Sequence, residues 1–169
     1  RALTQSRIAV LRFDFTGLGQ SGGDFADTTF SSNIGDLVAA AEFLEREYDA
    51  PQLLIGQSLG GAAVLHAAHK LPSVRAVTTI GAPCDPAHVT HLLSGSIDTI
   101  KADGEATITL AGRPFRIKRE FLDDLEADRM DSAVEKLGRA LLIMHSPTDQ
   151  TVGIENAQHL YLKARHPKS

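Results

Sequence analysis

Within Gln52-Leu-Leu-Ile-Gly-Gln-Ser-Leu-Gly-Gly61 a short apolar run meets a serine set between glycines at the spacing G-x-S-x-G, and small residues follow. Leu53, Leu54 and Ile55 read as a strand, and Gly60, Gly61, Ala62 and Ala63 as the start of a helix thin enough to pack close to a sheet. A strand that turns into a helix within a few residues crowds its own backbone. Gly56 and Gly60, two before and two after Ser58, would leave room for the turn, and the serine would be lifted to its tip in a strained conformation. Its hydroxyl would then stand at a helix N-terminus. Free N–H groups there favour the negative charge that forms when a nucleophile attacks a carbonyl.

The flanking sequence supplies a sheet for this turn. Ile8–Phe15 is apolar and β-branched, broken by Arg12 and Asp14, and reads as a buried strand of a mostly parallel sheet. Ser31 to Tyr48 carries Ile34, Leu37, Val38, Ala41 and Leu44 at helical spacing, with Asn33 and Asp36 as an N-cap arrangement. A helix from Leu59 to near Lys70 and a strand over Val74–Ile80 follow. Strand, helix, strand, helix, strand implies parallel pairing with right-handed crossovers.

The rhythm breaks at Cys84. Asp85-Pro86 opens a helix toward Leu93, Ser94–Glu105 is irregular, Ala106–Leu110 and Pro114–Ile117 form a hairpin, and helices cover Glu120–Ala127 and Asp131–Leu137. This insertion, residues 84–137, reads as a cap over one edge of the sheet. Arg139–His145 resumes the sheet, Ser146–Gln150 leaves its C-terminal end, and Gly153–Ala164 is a last helix before a polar tail.

Ligands of open parallel sheets bind at the C-terminal ends of the strands. The loops there are Thr16–Gly23, Gly56–Gly60, Gly81–Asp85 and Ser146–Val152, which puts Ser58 and Asp149 at one end. A serine hydroxyl needs a base, normally histidine, held in the right tautomer by a carboxylate. Ser58 and Asp149 fill two of these roles in the chain order Ser, Asp, His. The histidines after Asp149 are His159, on a helix face, and His166, just before Pro167; His145 belongs to the strand end.

Other chemistries are weaker. Gly17, Gly19 and Gly22 form G-x-G-x-x-G directly after a strand, a dinucleotide signature. That signature needs a helix opening inside it, and Gly23–Thr29 is more loop with two acids, so a tight reversal through positive φ is the plainer reading. The pairs His66/His69 and His88/His91 have metal-binding spacing but no accompanying cysteine or carboxylate ligand set, so neither metal nor cofactor is expected. Cys84 could be a nucleophile but lacks an elbow around it. The 169 residues, 43% hydrophobic and 22% charged with net charge −4, suit one globular domain, and no basic run points to nucleic acid or a membrane surface. The single cysteine allows no disulfide within the chain and suggests a reducing cytoplasm. No apolar run approaches the roughly 18 residues of a membrane span.

Three stretches, Leu11-Arg-Phe-Asp-Phe-Thr-Gly-Leu-Gly-Gln-Ser21, Gly56-Gln-Ser-Leu-Gly-Gly61 and His145-Ser-Pro-Thr-Asp-Gln-Thr-Val152, resemble the α/β-hydrolase superfamily in its bacterial serine-esterase or aminopeptidase-like branch. Gly112-Arg-Pro-Phe115 and Phe30-Ser-Ser-Asn33 resemble the hydrolase domain that some bacteria fuse to an OsmC-like domain. The resemblance spans nearly the whole chain. It implies a three-layer α/β-hydrolase fold, mostly parallel, with a cap insertion and a possible fused OsmC-like partner. It implies Ser58 as nucleophile, Asp149 as acid and the Leu59 N–H as one oxyanion donor. The expected activity is cleavage of a small acyl ester, thioester or amide through an acyl-enzyme. Gly17, Leu92, Leu93, Phe115 and Phe121 would shape its acyl pocket. In the family, the histidine follows one further strand, which here would come after Ser169. The second oxyanion donor would precede Arg1, on a loop after an earlier strand that would stand between Ile8–Phe15 and Leu53–Ile55. The expectation is therefore a partial hydrolase domain over residues 1–169, cut at both ends, with a gap in its sheet. The alternative is a non-catalytic module that keeps the fold and serves a fused domain.

Overall fold

A computed structural model of the chain describes residues 2–87, 93, 95–110, 113–127 and 130–169. The rest of the helix expected after Pro86, the pocket residue Leu92, the His88/His91 pair and the hairpin turn at Ala111 and Gly112 lie outside the described residues.

Three parallel strands form the sheet: β1 (Leu53–Gln57), β2 (Ala76–Ile80) and β5 (Ala140–Met144), in the order β1-β2-β5. A separate antiparallel hairpin pairs β3 (Glu105–Leu110) with β4 (Arg113–Lys118). The helices are α1 (Ala2–Gln5), α2 (Phe30–Glu47), α3 (Leu59–Ala67), α4 (Ile97–Asp103), α5 (Arg119–Glu126), α6 (Met130–Glu135) and α7 (Glu155–Lys163).

Register decides which strand residues share a face, because successive side chains point to opposite sides. Leu54, Val77 and Leu141 stand in line and are buried, with α3 against β1 and β2 and α7 against β5. The alternate rows are Ile55, Thr78 and Leu142, and Gln57, Ile80 and Met144. On that side Leu53, Ile55, Ile80, Leu142 and Met144 are between 38% and 49% exposed. One face of the sheet is thus covered and the other is bare among the described residues. A folded monomer of 18.1 kDa is expected to expose about 8,000 Å²; this one exposes 10078 Å².

The core sits on α3 rather than within the sheet. Ala62, Ala63, Val64, Leu65 and Ala67 are all but inaccessible, and Phe30 and Ile34 of α2, Leu122 and Leu125 of α5 and Val134 of α6 close around them. Small side chains on α3 let α2 and the sheet approach it from two sides, as interior packing density requires.

Three expectations need correction. Ile8–Phe15 is not a buried strand. It pairs with no strand among the described residues, and Ile8, Val10, Leu11 and Phe13 are between 38% and 52% exposed. β-propensity makes a strand only where a partner edge lies within hydrogen-bonding reach, and the sheet order offers this segment none. The cap of α2 is Thr29, not Asn33. Thr29 Oγ1 accepts from the Ser32 N–H at 3.1 Å while Ser32 Oγ accepts from the Thr29 N–H at 2.9 Å, a reciprocal capping box one turn earlier. Asn33 is buried instead. Residues 97–103, expected to be irregular, form α4, closed by Gly104 in the left-handed region at φ 88°. The polar tail, to which the sequence reading assigns no element, is paired: Leu141 N–H donates to Pro167 O, and Ile143 N–H to Ser169 O at 2.8 Å, so residues 167–169 run parallel beside β5.

The cap hairpin is fastened to the segment that follows the glycine loop. Arg116 pairs with Asp24 at 2.6 Å and Lys118 with Asp27 at 2.5 Å, the N-cap and last residue of a 3-10 turn at Phe25–Asp27. Asp124 of α5 accepts from both the N–H and the hydroxyl of Ser31 at the start of α2. No helix among the described residues is long and apolar enough to cross a membrane.

Candidate active site

β1 ends at Gln57, and Ser58 adopts φ 51°, ψ −128° before α3 begins. A non-glycine residue there is strained by about 1–3 kcal/mol and persists only when its surroundings over-determine it. They do. Ser58 N–H donates to Ile80 O at 2.9 Å, and Ser58 O accepts from Gly61 N–H at 2.8 Å. A Cβ on Gly56 would stand 2.2 Å from Gly60 O, and one on Gly61 would stand 2.6 Å from the Ala82 Cβ. A Cβ on Gly60 would meet nothing nearer than Phe15 Cε2 at 3.8 Å. The glycines that make room are therefore Gly56 and Gly61, which corrects the expectation for Gly60. Ser58 is exposed, and its hydroxyl has no hydrogen-bond partner among the described residues. The Leu59 N–H, first of α3, likewise has no acceptor there, so it stays available beside the hydroxyl.

Asp149 lies in the turn after β5. Its Oδ1 accepts from Thr151 N–H at 2.9 Å and Val152 N–H at 3.0 Å. Those two donors, Val152 first, hold the carboxyl below its ordinary value of 3.8 and keep it ionised. Oδ2 receives no hydrogen bond among the described residues; the nearest ring nitrogen, His145 Nε2, is 3.9 Å away.

The exit of β2 ties the elbow to the acid. Ile80 O holds Ser58 N–H, Gly81 N–H donates to Met144 O at 2.9 Å, and Ala82 touches Gly61. Gly81 is left-handed at φ 56°, and a Cβ there would stand 3.2 Å from Asp149 Oδ2. Ser58 and Asp149 thus share the C-terminal end of the sheet, Ser58 bonded to Ile80 and Asp149 lying beside the next residue, Gly81. The sequence marks Gly81-Ala-Pro83 only as a strand ending.

No histidine among the described residues is seen to complete this pair. His159 Nε2 lies 2.6 Å from Asp131 Oδ1 on the α6–α7 surface, and His166 is exposed. His69 Nε2 donates to Ala133 O at 2.8 Å, while the His66 ring meets Phe30 edge-on. No group of three or more potential metal ligands stands among the described residues. Cys84 N–H donates to Asn156 Oδ1, and burial followed by the charge of Asp85 pushes its thiol up, away from a nucleophilic thiolate.

In the glycine loop Gly17, Gly19 and Gly23 are left-handed, and a 3-10 turn follows rather than a helix. Asp36, where a dinucleotide site would hold a ribose, instead accepts from the N–H and hydroxyl of Thr16. The loop is a chain reversal, and Gly17 passes so close to Phe25 that a Cβ there would stand 2.1 Å from its backbone nitrogen. Phe25 stacks edge-on with Phe115 at 5.5 Å and lies 5.9 Å from Phe121, joining loop and cap. Phe121 and Leu93 are buried and Phe115 half-buried. A cleft lined by Asp49, Gln52, Pro72, Ser73 and Arg75 lies at the opposite end of the sheet.

The family model for serine aminopeptidase, S33, matches residues 1–101. The mouse mitochondrial palmitoyl-protein thioesterase ABHD10 is 32% identical over 125 residues, 70% of this chain and 41% of that protein. The chain thus spans less than half of the curated relatives it matches. The esterase domain of a Rhodothermus marinus protein superposes with a TM-score of 0.67 at 52% identity, covering 88% of this chain and 60% of that one. Est1E from Butyrivibrio proteoclasticus, solved with ferulic acid bound, superposes at 0.81 with 23% identity over 96% of this chain and 66% of that one, which speaks to the fold alone.

Proposed function

The chain belongs to the serine aminopeptidase S33 family of α/β hydrolases, and from that premise we propose that it is a serine hydrolase with Ser58 as nucleophile and Asp149 as the acid. The observation that carries this reading is Ser58 itself: a non-glycine residue at φ 51°, exposed, between an unengaged N–H and a glycine that cannot be replaced without a clash. Nothing about packing a sheet requires a serine to be held so.

In the reaction, Ser58 Oγ attacks the carbonyl carbon of an acyl ester, thioester or amide and gives its proton to a base. The carbonyl oxygen takes the negative charge against the Leu59 N–H at the head of α3. Collapse of the tetrahedral adduct breaks the bond to the leaving group, which takes the proton, and leaves the acyl group on Ser58. Water then repeats the sequence and releases the acid. Asp149 Oδ2 would accept from the base's second nitrogen and hold its tautomer. Gly17, Leu92, Phe115 and Phe121 would line the acyl side, and the names of the thioesterase and esterase relatives support an acyl ester or thioester. The setting we propose is the cytoplasm, with an OsmC-like domain as the fused partner.

An active-site-directed fluorophosphonate tests the reading. Full-length protein should label, and Ser58→Ala should abolish labelling. Full-length protein that stays unlabelled would favour the second reading, a module that keeps the fold and serves a fused domain. That reading draws on the absence of a histidine at Ser58 among the described residues.

A further inference from the structure

His145 follows β5 and is buried, its side chain only 2% exposed. The proposed reaction gives it no part. Its Nε2 lies 2.7 Å from Val152 O. A carbonyl oxygen only accepts, so Nε2 carries the proton. Nδ1 is buried with no hydrogen-bond partner among the described residues. A ring chosen merely to fill space would be Phe or Leu, with no polar atom stranded. The stranded nitrogen indicates that the other nitrogen matters.

What Nε2 holds is the peptide next to the acid. Val152 N–H donates to Asp149 Oδ1 while Val152 O receives His145. The turn is short, and Asp149 N–H itself returns to Ser146 O at 3.2 Å. On its far side Asn156, also buried, donates to Gly153 O and accepts from Cys84 N–H. The turn is thus gripped on both flanks, and one grip is histidine.

Resting on the hydrolase reading, we propose that His145 is a positioning residue for Asp149: its Nε2–H fixes the Val152 peptide, and through that peptide aims the free carboxylate oxygen toward Ser58. It touches neither substrate nor reacting atoms.

The test compares His145→Leu with His145→Gln. Leucine fills the space without a donor. Glutamine offers an amide N–H near the position of Nε2 and carries no charge at any pH. Carboxyl-detected NMR titration should show the Asp149 pKa rising toward its ordinary 3.8 in His145→Leu, as the Thr151 and Val152 bonds loosen, and staying depressed in His145→Gln. Fluorophosphonate labelling of Ser58 in the full-length protein should slow by about tenfold to a hundredfold in the leucine variant and recover with glutamine. Equal behaviour of the two variants, or an unchanged Asp149 titration in His145→Leu, overturns the proposal. Should the leucine variant fail to fold, nitrogen-15 spectra of the unaltered protein decide: protonation at Nε2 supports it, and protonation at Nδ1 overturns it. The titration reads Asp149 whether or not Ser58 reacts. A wild-type protein that never labels therefore counts against the hydrolase reading and leaves the role of His145 to the NMR result.

Discussion

Three glycines close in sequence have three different tolerances. Gly56→Ala drives a methyl into Gly60 O and Gly61→Ala drives one into Ala82, so each should cost about 2–4 kcal/mol by thermal denaturation. Gly60→Ala has open space and sits in the first turn of α3, so it should be neutral or stabilise by up to about 1 kcal/mol. A Gly60→Ala as damaging as the other two would show that the elbow is braced differently. The second prediction concerns Asp149. Its folded pKa is depressed, so its contribution to stability is fully present above 3.8 and is lost as pH falls through the folded value. Asp149→Asn should therefore differ most from wild type near neutral pH and converge with it as pH falls through the depressed folded value, read from denaturant midpoints across pH. The serine and the acid were both visible in the sequence, because a strand end followed by glycine and a strand end followed by an acidic turn are local patterns. The grip of His145 was not. Its partner is a backbone carbonyl, and residue identity carries no trace of one.

At the level of elements, the sequence foretold those with clear periodicity or apolar runs bounded by turn residues, including the distant parallel partners β2 and β5. α2, α3, the β3–β4 hairpin and the closing helix α7 are all where periodicity and turn residues put them, within a few residues. The failures have one cause each. Ile8–Phe15 has the composition of a strand and lacks an edge to pair with. α4 is seven residues with Ile100 alone fully buried, too little periodicity to register. Residues 167–169 are polar yet paired, because an edge position in a sheet asks for backbone groups and not for apolar side chains. The cap hairpin carries a prediction of its own. Arg116–Asp24 and Lys118–Asp27 are exposed pairs, open to screening by salt. Arg116→Ala with Lys118→Ala should speed hydrogen exchange across residues 105–118. Salt near 1 M, where the screening length is about 3 Å, should do the same to the unaltered chain. Exchange indifferent to both would mean that the Phe25 contacts alone hold the hairpin.

Across the whole molecule the asymmetry of the sheet dominates. One face is closed by helices around α3; the other presents Leu53, Ile55, Ile80, Leu142 and Met144 to water. Exposed apolar area of this extent is uncommon on a monomer. The 169-residue chain should therefore bind a hydrophobic dye such as anilinonaphthalene sulfonate while folded. Leu142→Glu should reduce that signal with little loss of stability. Leu141→Ala, on the covered face, should instead cost about 2–5 kcal/mol. Equal effects of the two substitutions would mean that both faces are covered in solution. The bare wall also makes concentration a thermodynamic variable. Two copies that shield each other's apolar faces are stabilised by mass action. A melting temperature, an exchange rate or a labelling rate measured on this chain then belongs to a particular dilution, and only its limit at low concentration describes the single molecule.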